Sequence, residues 1–148
     1  MKGFKVTSGR IQVSDPCYDG GTHEEPALNG TWVAKVDKSN VGSWGTRISK
    51  LLVHHEGWNP AANGLKGLRI TVGVDSGQMG VFDAAKFGGG DDEDFYGLCC
   101  DATLTQRGCG YVPMGFVSSS GLGDGAYDGI VWKDGGKAVA VEIVFLTD

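Results

Sequence analysis

Four aspartates set near glycine or proline are the residues of this chain with the clearest capacity for chemistry. Asp75 lies in Gly73-Val74-Asp75-Ser76-Gly77-Gln78, Asp83 follows Val81-Phe82, Asp124 stands between Gly123 and Gly125, and Asp15 precedes Pro16-Cys17. Glycine admits backbone angles that other residues resist, so a carboxylate beside it can be turned toward a ligand or back onto its own loop. Turned outward together, Asp75, Asp83 and Asp124 would offer hard oxygen ligands to a divalent cation such as Mg²⁺, Mn²⁺ or Ca²⁺, and a hydrolase could draw hydroxide from water on that metal. Turned inward, each would accept the N–H groups of its own turn. An EF-hand is excluded because its regular acidic spacing and closing Glu are absent.

The polar residues beside these carboxylates suit a small ligand. Ser76, Gly77 and Gln78 form one loop, and Ser118, Gly121, Gly123 and Asp124 a second that runs into Tyr127. Backbone N–H groups of Gly77, Gly121 and Gly123 could meet anionic oxygens, with Arg10 or Arg107 adding charge. Trp44 and Trp58 sit in glycine- or proline-rich segments where an indole could stack a base or sugar ring, although the rim of a core is the commoner place for tryptophan.

Other constellations are weaker. His54 and His55 are adjacent on a strand-like stretch and would point to opposite faces, so they cannot easily share one ion. H-E-x-x-H is absent, and the His and Cys residues lack zinc-ligand spacing. Cys17 could be a nucleophile with a distant His as base, but a small buried hydrophobe beside a turn is the commoner role of such a cysteine. Ser76 does not sit in a G-x-S-x-G elbow.

The elements that must position these residues are mostly strands. Residues 4–7 and 10–13 alternate around Ser8-Gly9 as an opening hairpin or one bent strand, and Asp15-Pro16 stops them. Strand chemistry returns at 31–36, 47–54 and 68–74, resumes at Val81-Phe82 after the 75–80 turn, and extends over 111–118. His23 reads as part of a turn, and 58–67 as a loop. A hairpin of 126–132 and 138–146 closes the chain around Lys133-Asp134-Gly135-Gly136. Past Gly88-Gly89-Gly90, residues 92–105 form the one helix candidate, with Phe95, Leu98, Cys99 and Ala102 at helical spacing and acids where the helix dipole favours them. About eight strands and one helix, without repeat or linker, predict a single domain over 1–148: a mainly antiparallel β-sandwich or rolled sheet carrying one helix, with an open α+β sheet as the alternative.

Composition narrows the partners. At 148 residues and 41% hydrophobic content the chain can bury a core, and no apolar run approaches the ~20 residues of a membrane-spanning helix. A net charge of −5 argues against duplex nucleic acid and anionic membrane surfaces, both of which demand clustered Lys and Arg, yet leaves a small anion open. The 26 glycines, dispersed without a triplet period, mean many tight turns. The basic start Met1-Lys2-Gly3-Phe4-Lys5 lacks an apolar signal core, so a cytoplasmic protein with four reduced cysteines is expected.

Three segments, Ser14-Asp15-Pro16-Cys17-Tyr18, Gly73 to Gln78 followed by Phe82-Asp83, and Gly123-Asp124-Gly125-Ala126-Tyr127 with a closing Val141-Glu142-Ile143-Val144-Phe145, resemble a family of small bacterial and phage proteins built around a domain of unknown function. In that family an extended V-D-S/A-G turn precedes F-x-D and a C-terminal G-D-G-x-Y hairpin. The resemblance implies a β-rich single domain, a bacterial or phage-infected host, and shared importance for Asp15, Asp75, Asp83, Asp124 and Tyr127. It departs at Ala126-Tyr127-Asp128, where relatives commonly carry a Tyr-Pro or similar pair, and it lends no catalytic role. The function expected from these readings is a small non-enzymatic binding protein, phage- or prophage-encoded, that holds a polar molecule such as a nucleotide-like signal in its glycine and aspartate loops. The alternatives are the divalent-metal hydrolase and a structural module that pairs with a protein partner or a second copy of itself.

Overall fold

A computed structural model describes residues 3–17, 22–60, 65–89 and 91–147. Tyr18, Gly90, Met1 and Lys2 lie outside the described residues, as do positions 61–64 of the 58–67 loop. The strands are β1 (Phe4–Val6), β2 (Arg10–Ser14), β3 (His23–Pro26), β4 (Gly30–Asn40), β5 (Thr46–His55), β6 (Lys66–Val74), β7 (Gln78–Asp83), β8 (Cys109–Val112), β9 (Gly115–Ser119), β10 (Gly125–Asp134) and β11 (Lys137–Val144). One α-helix, α1 (Glu93–Thr103), lies between β7 and β8. A six-stranded sheet runs β1-β4-β5-β11-β10-β6 and a five-stranded sheet β3-β2-β7-β9-β8, with every paired strand antiparallel. The protein is therefore mainly β, two antiparallel sheets with a single helix among the described residues.

Three local elements differ from the sequence expectation. The Ser8-Gly9 turn makes no hairpin: β1 pairs with β4 in one sheet and β2 with β3 and β7 in the other, so the chain changes sheets there. His23 opens a strand rather than a turn. Its segment, His-Glu-Glu-Pro, has no apolar alternation because it is an edge strand with only half-buried or exposed positions. The 111–118 stretch divides at Pro113-Met114 into β8 and β9.

Leu51, Val53, Val141 and Ile143 from the larger sheet meet Ile11, Val13, Met79 and Val81 from the smaller one to form the core between the sheets. β7 is buried along its whole length because it is covered twice. Met79 and Val81 face the other sheet, and the alternate positions Gln78, Gly80 and Phe82 face the side covered by α1. Phe82, Phe87 and Phe95 stack there with ring centroids 5.1–5.3 Å apart. Asp92 caps α1 by accepting the Phe95 N–H at 3.0 Å. The buried stripe of the helix is Phe95, Cys99 and Thr103, whereas Leu98 is 40% exposed, so the apolar face is rotated from the one the spacing suggested. Burying a phenylalanine such as Phe95 contributes roughly 1.5–3 kcal/mol.

Candidate site at the loop end of the sandwich

Asp15 sits at the end of β2 and is fully buried. A buried carboxylate must find donors or become neutral. Its Oδ2 accepts the Asp75 and Ser76 N–H groups at 2.8 and 2.7 Å, and its Oδ1 accepts the Ser76 hydroxyl at 2.6 Å and the Cys17 N–H at 2.8 Å. The carboxylate thus bolts the Pro16-Cys17 turn to the loop between β6 and β7. That loop continues into the third segment, since the Ser120 N–H donates to the Gly77 carbonyl at 3.1 Å. Gln78 also pairs with Ser119 across β7 and β9, and Val74 with Gly125 across β6 and β10. These contacts bring segments 14–17, 75–78 and 118–127 together at one end of the sandwich.

Most polar groups in the cluster are already committed. Ser118 is buried and donates to the Ser119 carbonyl at 3.1 Å, and Ser120 donates to the Gly123 carbonyl at 2.8 Å. The Tyr127 hydroxyl donates to that same carbonyl at 2.6 Å, while its ring meets Phe145 edge-on at 5.2 Å. Burial first, and then the charge of Asp124, push the Tyr127 phenol up, against a Ser120 hydrogen bond that lowers it. Gly123 gives its N–H to the Ser120 carbonyl at 3.2 Å, so that group is occupied and does not stand ready for an anion. Gly77, Gly121 and Gly123 all have positive φ (72°, 67° and 121°), the backbone this loop pair needs. Asp75 and Asp124 are exposed and stand one residue beyond the paired Val74 and Gly125.

Asp83 lies apart, at the far end of β7 from Asp75. It is fully buried and accepts from the Ser8 hydroxyl at 2.5 Å, the Thr7 N–H at 3.0 Å and hydroxyl at 3.2 Å, and the Ala85 N–H at 3.2 Å. Burial pushes this carboxyl up, but those hydrogen bonds outweigh it and hold the group below its ordinary value of 3.8. Asp75, Asp83 and Asp124 consequently do not share a centre, and no three His, Cys, Asp or Glu side chains gather to hold a metal ion among the described residues.

One buried group in the cluster stands unpaired. Gln78 is 7% exposed on the helix side of β7; its Nε2 reaches the Cys100 sulfur at 3.6 Å, and its Oε1 has no hydrogen-bond partner. Tyr96 marks the same neighbourhood: its hydroxyl is pushed up to about 12 by a hydrogen bond with Cys100, then by burial, then by the charges of Cys100, Cys17 and Asp15. Cys100 and Tyr96 were not singled out by sequence. The signal for this spot was a glutamine opening a strand whose other residues are nearly all apolar.

The remaining candidates lie elsewhere. His54 stacks on Trp58 at 5.0 Å and His55 meets Trp32 at 6.3 Å, each ring engaged separately. Trp58 also packs on Trp132 at 5.9 Å, and Trp44 is exposed in a single 3₁₀ turn over Gly42–Trp44. Arg10 pairs with Glu24 at 2.5 Å. The four cysteines are free thiols. No helix among the described residues is long and apolar enough to cross a membrane. No protein-family model, curated protein or solved structure matches the chain.

Proposed function

We propose that the protein is a non-enzymatic binding module for a polar small molecule, engaged at the loop end of the sandwich beside Gln78. The observation that carries this reading is the unpaired Oε1 of Gln78, an acceptor that is nine-tenths buried within a cluster whose other polar groups are largely satisfied. An acceptor left unpaired costs about 1–3 kcal/mol, and a ligand that brings an N–H donor recovers that cost. The exposed carboxylates of Asp75 and Asp124 border the same loops and disfavour an anionic group there. A nucleobase or nucleoside, rich in N–H donors and uncharged, fits better than a nucleotide phosphate. The metal-hydrolase alternative gains no support from the placement of Asp83. A bacterial or phage setting follows from the motif resemblance alone and belongs to the same proposal.

Melting temperatures measured with a panel of free nucleobases and nucleosides test the reading. At least one member should raise the melting temperature of the wild-type protein. Gln78→Met should abolish that rise while leaving the unliganded protein as stable or more stable, because the unpaired acceptor is gone. If no compound shifts the wild type, or Gln78→Met lowers stability and leaves the ligand response intact, the proposal fails.

A further inference from the structure

A cavity remote from the loop cluster opens where the two sheets part between β4 and the β8–β9 hairpin. Its volume is about 690 Å³, within the range of roughly 300–1,000 Å³ typical of small-ligand sites. The sequence makes its floor from inward-facing positions. Ala34 and Val36 alternate on the core side of β4, and Tyr111 and Phe116 come from the opposite hairpin with ring centroids 4.8 Å apart and planes at 73°. Tyr111 spans the gap. Its hydroxyl accepts the Ala34 N–H at 2.8 Å and donates to the Ala34 carbonyl at 3.4 Å, so the two walls are fixed relative to each other.

The rim carries one sign of charge. Lys38 pairs with Ile48, a core residue, which places it on the inward-facing register of β4 two positions beyond Val36. Arg107 approaches from the turn before β8. No acidic residue lines the cavity. The ion pairs among the described residues are Arg10–Glu24, Lys50–Glu142 and Lys133–Glu25, none of which uses these cations. In a chain of net charge −5, two cations without an acid mark a local reversal of sign. The Cys109 thiol lies between them: burial pushes it up, while Lys38 and Arg107 both pull it down, so their fields converge inside the cavity. Apolar ring surfaces beneath unpaired cations suit one ligand chemistry, a planar ring bearing an anionic oxygen group.

We propose that this inter-sheet cavity binds a phosphorylated small molecule with a planar ring, its phosphate held by Lys38 and Arg107 and its ring against Tyr111 and Phe116. The site is independent of Gln78 and stands whether or not the loop-end reading holds.

Titration calorimetry with phenyl phosphate, AMP and inorganic phosphate as probes tests it, alongside mapping of Cys109 alkylation by N-ethylmaleimide. The ring-bearing probes should bind, inorganic phosphate should bind at least about tenfold more weakly, and the bound probes should slow Cys109 alkylation. Lys38→Gln and Arg107→Gln should each weaken binding by about tenfold with the fold intact, since both residues are exposed. Gln78→Met should leave phenyl phosphate binding and its protection of Cys109 unchanged. The proposal is overturned by no binding to the folded wild type, by binding indifferent to both cation variants, or by inorganic phosphate binding as tightly as phenyl phosphate, which would reduce the cavity to a patch of loose counter-ions.

Discussion

Asp15 grips Ser76 twice, through Oδ2 to its N–H at 2.7 Å and through Oδ1 to its hydroxyl at 2.6 Å, across 61 residues of sequence. A buried carboxylate held by four donors stabilises only while it remains an acceptor on both oxygens. Asp15→Asn turns one oxygen into an N–H group facing other donors. It should therefore cost at least the roughly 1–3 kcal/mol of an unsatisfied buried group, and Ser76→Ala should cost less because the Ser76 N–H is retained. Urea unfolding of both variants and the double mutant checks this, and the pair should be non-additive by about 0.5–3 kcal/mol. Additive losses would mean that the two residues act separately.

Asp83 gives the fold an acid sensitivity with a definite sign. Its carboxyl titrates below 3.8 when folded, so the folded state binds that proton less readily than the unfolded chain. The stability it supplies is full above the unfolded value and is lost as pH falls through the lowered folded value. Unfolding free energies measured from pH 6 down to pH 2 should fall below about pH 4. Asp83→Asn should be less stable at neutral pH and should show a flatter acid limb. An unchanged acid limb in that variant would assign the effect to other carboxylates.

The sequence and the structure agree where alternation is strong and diverge where a residue serves another element. The regular apolar spacing of 68–74 and 138–146 predicts strands, and both form, since each has one face on the core. β3 is not legible because an edge strand of His-Glu-Glu-Pro needs no apolar face. Sheet switching at Ser8-Gly9 is likewise hidden: a two-residue turn looks the same whether its strands pair with each other or with partners far along the chain. At the candidate site, the grouping of Asp15 with Asp75 and Ser76 could be suspected from glycine-flanked acids. The separation of Asp83 could not, because a strand between two acids hides how far apart they end. The cavity rimmed by Lys38 and Arg107 depends on two sheets parting, a relationship that no local pattern records.

The thiols should separate by reactivity. Cys17 is exposed, whereas Cys99 is fully buried and pushed up to about 12 by that burial, then by the neighbouring charges of Cys100 and Asp15. The thiolate is the reacting species, so at pH 8 Cys17 should alkylate quickly and Cys99 only after unfolding. Peptide mapping after timed alkylation, native and in denaturant, reads this directly. All four thiols should label in denaturant without reductant. Fast native labelling of Cys99 would contradict the packing of α1 on β7 and β9.

Gly80 is required by close packing between β7 and β9 on the helix side of the sheet. A Cβ there would lie 2.6 Å from the Phe116 carbonyl oxygen and 2.5 Å from Cζ of Phe82, and the carbonyl belongs to a paired strand that cannot yield cheaply. Gly80→Ala should therefore destabilise by about 1–3 kcal/mol, the range for overpacked cores, despite the better strand chemistry of alanine. A thermal melt unchanged by the substitution would show that β7 and β9 are less tightly apposed.

Asp124 should tune Tyr127 without anchoring it. The phenol is raised by burial first and by the Asp124 charge second, so Asp124→Asn should lower its titration point while burial still keeps it raised. Tyrosinate absorbance followed against pH, with the other three tyrosines replaced by phenylalanine where the fold tolerates it, gives the measurement. Asp75 stands beside Asp124 at the ends of β6 and β10, since the last paired residues are Val74 and Gly125. Two like charges so placed repel, and neutralising either should stabilise by about 0.2–1 kcal/mol, with the second neutralisation adding less because no repulsion remains to be relieved. Asp75→Asn should leave Tyr127 where it is, because Asp75 does not contribute to that shift. If Asp124→Asn leaves the tyrosine titration unmoved, or if the two stabilities simply add, the aspartates are independent turn residues and the register that sets them side by side carries no electrostatic consequence.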